Sequence, residues 1–217
     1  MKIDFRKLTY ICGFIGSGII LFCTFITAFY FRDSNSESYS FLNQFISELG
    51  QTGISQQAVL FNTGLKIGGI FLAVFMFGLG RYCKSKFTYF AGVVGLFSMI
   101  GAILVGFFPM NIDFNMHTKV ALLFFQGGLV TILLFTLYII FGKQNKLANF
   151  LKIPGIISVL VFTVFLCLHF ILNPQGTAIS GPLADRPVFY LQSFLEWLVF
   201  GSIFIWIKSV SISLFNA

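Results

Sequence analysis

Long apolar runs broken only by isolated polar positions alternate with short polar segments along the chain. They fall at Leu8 to Phe31, Gln57 to Gly80, Phe87 to Phe108, His117 to Phe141, Leu151 to Leu172 and Val188 to Val210. A bilayer core of ~30 Å needs about 20 residues of helix at 1.5 Å each, and all of these runs reach that length. The pattern predicts an all-α integral membrane protein, a six-transmembrane-helix bundle forming one domain over residues 1–217. The first run is too long for the apolar part of a signal peptide, and Thr27-Ala28-Phe29-Tyr30 provides no small-residue cleavage pattern, so it reads as a retained helix.

Composition agrees, since 57% hydrophobic against 10% charged side chains leave too little polar surface to cover a water-soluble globule. The charges are unevenly placed. Lys2, Arg6, Lys7, Arg81, Lys84, Lys86, Lys143, Lys146, Lys152 and Lys208 lie at one set of helix ends, and Asp33, Glu37, Glu48, Asp113 and Asp185 at the other, accompanied by Arg32 and Arg186. Cation-rich short loops stay on the cytoplasmic side, which predicts both termini inside. The net charge of +7 is then a topology signal with anionic-lipid contact as a by-product, and no nucleic-acid partner is expected. Cys12, Cys23, Cys83 and Cys167 lie outside the outer loops and form no CxxC, so they read as small apolar fillers.

Two outer connections are substantial. In Arg32 to Gln56, apolar Phe41, Leu42, Phe45, Ile46 and Leu49 share a helical face and Gly50 ends it, predicting a short amphipathic outer helix at about 39–50 with Asn43, Ser47 and Glu48 opposite. This helix is either a plain cover or a functional lid. The second, Asn173 to Pro187, is turn-rich through Pro174, Gly176, Gly181, Pro182 and Pro187. Gly13 with Ser17, and Gly64 with Gly68, are small pairs four apart that let helices approach closely.

Candidate chemistry lies in the polar residues that a membrane makes expensive. Lys66 and Glu196 are opposite in sign and both roughly 12 to 14 Å below the outer helix ends. Gln126 lies at a similar level, and Glu48, Asn62, His117, Lys119, His169 and Gln192 lie above, with Arg186 in the outer loop. This one-sided distribution predicts an outer-facing polar cavity. The plainer alternative is a buried Lys66–Glu196 ion pair that sets helix register, with the histidines at the headgroup boundary. Below Gln126 the fourth helix offers only Thr131 and Thr136, which disfavours passage of solute through the membrane.

No motif calls for a cofactor. His117 and His169 could converge with a carboxylate on a metal, or ligate a haem, but no HExxH or comparable spacing supports either. Ser47, Ser180 and Ser193 lack the setting of a catalytic nucleophile.

Ile46-Ser47-Glu48-Leu49-Gly50, Phe61-Asn62-Thr63-Gly64, Phe108-Pro109-Met110 ahead of His117, and Gln192 with Glu196-Trp197 together resemble the prokaryotic membrane family DUF998, a domain of unknown function. The chain is also distantly similar to the eukaryotic six-helix damage-regulated autophagy modulator type, which is associated with lipid handling. The resemblance implies six helices and an outer polar site at Glu48, Asn62, His117 and Glu196, and it carries no reaction with it. The functional expectation is an outer cavity that binds a lipid headgroup or small amphiphile, with Lys66 and Arg186 facing anionic groups and Glu48 and Glu196 facing amines. The alternatives are an intramembrane lipid hydrolase or transferase using a metal or a Glu/His pair, and a structural subunit of a homo- or hetero-oligomer in the membrane.

Overall fold

The computed structural model describes residues 3–33, 36–142, 145–172 and 187–217. Six helices run Phe5–Tyr30 (α1), Ala58–Tyr82 (α2), Lys86–Val105 (α3), Phe114–Phe141 (α4), Lys152–Leu172 (α5) and Leu191–Phe215 (α6). Each of the six is long and apolar enough to cross a bilayer, α5 together with the 3-10 turn Asn149–Leu151 ahead of it. The protein is an integral membrane helix bundle.

Boundaries follow local chemistry. Asp4 starts α1 three residues before the expected span because its carboxylate accepts from Arg6 N and Lys7 N at 3.0 and 3.2 Å. Ser85 and Asp113 do the same for α3 and α4, accepting from Phe87 N and Met116 N. At the other extreme α6 continues five residues past Val210. Leu214 is buried there, and the Ser211 hydroxyl donates to Ile207 O at 2.8 Å, so the extra turn packs and leaves no polar group bare.

Every helix packs on the next in the chain, and α6 closes back on α1, giving a ring of six. The small residues set its tightest seams. A Cβ on Gly16 would lie 2.8 Å from Gly68 O, and one on Gly80 would lie 3.1 Å from Gly92 Cα, so α1–α2 and α2–α3 meet backbone to backbone. Of the pairs expected from spacing, Gly64 and Gly68 lie on that first seam, whereas Gly13 faces Phe75 of α2 and Ser211 of α6, the two helices that flank α1.

A ring this wide leaves an axis to fill. In the half nearer the basic helix ends it is filled by Phe75, Phe135, Phe162 and Trp206, all fully buried, with the Trp206 ring 6.2 Å from Phe75 and 6.0 Å from Phe135. A second, smaller core of Ala28, Phe31, Tyr39, Ile46, Leu49 and Phe61 caps the opposite end, beneath the α1–α2 connection.

That connection departs from the expected amphipathic helix. Residues 41–43 form a turn, and the helical part shrinks to the 3-10 turn Ile46–Gly50. Its apolar positions do not share a face, since Phe41 and Leu42 are exposed while Ile46 and Leu49 are buried. The physical reason is competition from side chains. The Gln44 amide oxygen takes the Ser40 N–H at 2.7 Å and the Glu48 carboxylate takes the Phe45 N–H at 2.9 Å, where a longer helix would need backbone partners. Glu48 is accordingly fully buried, not turned outward. The segment is pinned across the bundle end. Thr52 and Asn111 exchange two hydrogen bonds at 3.2 and 2.9 Å, Tyr190 N donates to Leu42 O at 2.8 Å, and the Trp197 indole donates to Tyr39 Oη at 3.1 Å.

Candidate functional site

Beneath this cover, a cavity of about 90 Å³ lies on the ring axis. It extends from Ile46 and Ser47 down to Leu72 and Phe204, roughly 20 Å by helical rise. Its wall is Ile, Leu, Val, Met, Ala and Phe contributed by α1, α2, α3, α4 and α6, and among the described residues its polar side chains are Ser47, His117 and Glu196, all at the covered end. The volume holds about six to nine water-sized spheres, but a wall this apolar suits hydrocarbon better than water.

The polar end is organised by backbone. Glu196 in the second turn of α6 is 8% exposed, and its Oε2 accepts from Ile46 N at 2.8 Å. Glu48 accepts from the preceding amide, Phe45 N. Two carboxylates thus converge on adjacent amides of the cover and interact with each other electrostatically. Asn62 in α2 holds the far side, donating to Gly50 O at 3.0 Å. Gly50 is required there, because a Cβ would sit 2.5 Å from Asn62 Oδ1.

His117 in the first turn of α4 places Nδ1 2.8 Å from Phe108 O. A carbonyl can only accept, so Nδ1 carries a proton, and when the ring is neutral its lone pair is on Nε2. Among the described residues nothing else hydrogen-bonds to this ring. Ser47 Oγ donates weakly to Met110 Sδ at 3.6 Å, which leaves its hydroxyl easily redirected.

The expected site residues therefore divide. Glu48, Asn62, His117 and Glu196 come together around the 3-10 turn. His169 and Gln192 form a separate pair, with Gln192 Nε2 2.7 Å from His169 Nδ1 and the Tyr190 hydroxyl donating to Gln192 Oε1 at 3.3 Å. The two histidines are thus held by different partners, and among the described residues no group of three His, Cys, Asp or Glu could hold a metal. Lys66 does not meet Glu196. Its ammonium lies 4.4 Å from the centre of the Phe107 ring, and Gly106 packs on its stem, so cation–π attraction and the surface replace the ion pair. Gln126 is exposed, on a stripe with Leu123, Val130 and Leu133 that faces away from the axis. Matching depth could not reveal that rotation about α4. Lys119 is also exposed. Arg186, Asp185, Ser180 and most of the 173–187 segment lie outside the described residues.

Sequence reasoning missed the groups that orient these side chains, namely Ile46 N, Phe45 N and Phe108 O, and the phenyl walls from Phe61, Phe124, Phe125, Phe200 and Phe204. A backbone amide has no sequence signature, and 31 phenylalanines hide the five that matter.

Residues 15–212 match the family described as protein of unknown function DUF998. The chain belongs to the DUF998 family. No curated protein and no solved structure matches it significantly. Of the four residues implied by the family resemblance, His117 and Glu196 line the cavity of this DUF998 member, while Glu48 and Asn62 bond to the backbone of the segment that covers it.

Proposed function

We propose that this DUF998 protein binds the apolar tail of a lipid or small amphiphile in its central cavity, with the head directed at Ser47, His117 and Glu196. The observation that carries the reading is the cavity's polarity. It is apolar along its length and polar at one end only, which is the shape of an amphiphile and not of a solute path. The likeness to the autophagy modulator type, associated with lipid handling, points the same way. In this reading the covered end faces outward and the basic ends face the cytoplasm of a prokaryotic cell. Lys66 and Gln126 then take no part in the cavity, and the head sees acidic and imidazole groups.

The test is extraction and mass spectrometry of lipid from the purified full chain. Wild type should retain an amphiphile that Ala102→Phe, which fills the cavity from α3, fails to retain. Identical lipid in both proteins would sink the proposal.

The alternative, an intramembrane lipid hydrolase or transferase, is favoured by one observation, the His117 ring held by Phe108 O with its basic nitrogen unengaged beside Ser47. It predicts release of fatty acid from added phospholipid that ceases in His117→Ala. Stoichiometric zinc or iron in purified protein, lost with the same substitution, would turn this alternative into a metallohydrolase.

A further inference from the structure

At the opposite end of the molecule, the turn joining α2 to α3 borders an open surface pocket of about 480 Å³, lined by Phe5, Arg81, Lys84, Ser85, Lys86 and Tyr89 with Gly80. We propose that it is a headgroup site for one anionic phospholipid, taking the phosphate between Arg81, Lys84 and Lys86.

The turn is rigid. Gly80 and Gly92 hold α2 and α3 backbone to backbone, and buried Thr88 directs its hydroxyl at Gly80 O and Ser85 O, 3.3 and 3.0 Å away. Lys84 takes a left-handed φ of 58° to turn the chain within three residues. The backbone positions from which the three cations extend are therefore fixed relative to one another.

Arg81 is also held in place. Its guanidinium lies 5.6 Å from the centre of the Phe5 ring and 5.4 Å from that of Tyr89. The two rings flank the guanidinium, and among the described residues its N–H groups meet no acceptor, which leaves their planar fork for phosphate. Among the described residues no carboxylate pairs with Arg81, Lys84 or Lys86, and the acid at this end, Asp4, is spent capping α1. The start of α3 adds the positive end of a helix to the same space.

The surroundings select a lipid over a free anion. Phe87, Tyr89 and Phe90 are exposed on the adjoining face of α3, where acyl chains descending from the headgroup would lie. The site stands apart from the central cavity, so either can fail without the other.

The experiment titrates the detergent-solubilised full chain with dioleoyl phosphatidylglycerol or dioleoyl phosphatidylcholine and counts retained lipid by native mass spectrometry. We expect one phosphatidylglycerol held at least tenfold more tightly than phosphatidylcholine. The triple variant Arg81→Gln, Lys84→Gln, Lys86→Gln should lose about a hundredfold, at about a factor of five per cation. The triple variant Lys7→Gln, Lys152→Gln, Lys208→Gln removes equal charge from the same end outside the pocket and should leave the retained lipid in place. Arg81→Lys, which keeps charge and fold, should still lose about threefold because the planar fork beside the rings is gone. Equal losses in the two triple variants would mean diffuse attraction and overturn the site, as would full retention in Arg81→Lys. Binding of inorganic phosphate as tightly as the lipid would replace it with a soluble-anion site.

Discussion

At the level of Trp206 the ring of six helices is solid, whereas one turn nearer the covered end it encloses about 90 Å³. The same residue types build both halves, for phenylalanine lines the void as well as the plug. What differs is how the polar groups are satisfied. In the solid half Thr9, Ser17 and Ser211 bond back into their own helices, to Phe5 O, Gly13 O and Ile207 O, and the bonds between helices there run from hydroxyls to helical carbonyls, Thr88 to Gly80 O and Ser158 to Ser202 O. In the hollow half they reach between elements, Glu196 to Ile46 N and Asn62 to Gly50 O, and fix the cover at a height that keeps the space beneath it open. A bundle can therefore be impermeable at one level and receptive at another with no change in composition.

The sharpest test of this contrast truncates one ring in each half, fully buried Phe135 and half-buried Phe125. Phe135→Ala in the plug removes a fully buried ring from close packing and should lower stability by about 3 to 5 kcal/mol. Phe125→Ala, against an existing void, should lower it by half of that or less, as read from thermal unfolding in one detergent. Similar losses at the two sites would mean that the cavity is as tightly packed as the plug.

A smaller effect is expected at the latch. Glu196→Ala strands the Ile46 amide beneath the cover and should cost about 1 to 3 kcal/mol. Glu196→Gln keeps an acceptor oxygen and should recover most of it. Faster proteolysis in the 36–57 segment of the alanine variant alone would report a loosened cover. Equal cleavage in both variants would show that the hydrogen bond does not hold it down.

The smallest effect concerns the opposite end. Cys83, at the end of α2, is buried, and burial pushes its thiol up to about 12. Since thiolate is the reactive form and a raised value suppresses it, about one thiol in ten thousand is ionised at pH 8, so an impermeant maleimide should leave Cys83 unlabelled from either side. Lys84→Cys, one residue on and exposed, should label in inverted vesicles and not in intact cells. Labelling in intact cells would reverse the proposed orientation.

Much of this was written in the chain itself. Six spans, their limits within a few residues, and the family through Ile46-Ser47-Glu48-Leu49-Gly50 and His117 were legible because bilayer thickness and helical rise translate length directly into structure. Rotation about each helix axis was not, and it decided which residues meet. Lys66 and Glu196, expected at one depth, face different neighbours, and Gln126 faces outward. The outer helix also escaped prediction, because Gln44 and Glu48 capture amides that a periodicity argument assigns to the backbone. The existence of the cavity belonged wholly to the tertiary structure. Whether a ring of phenylalanines fills its axis depends on how six surfaces interlock, which hydropathy along one chain does not encode.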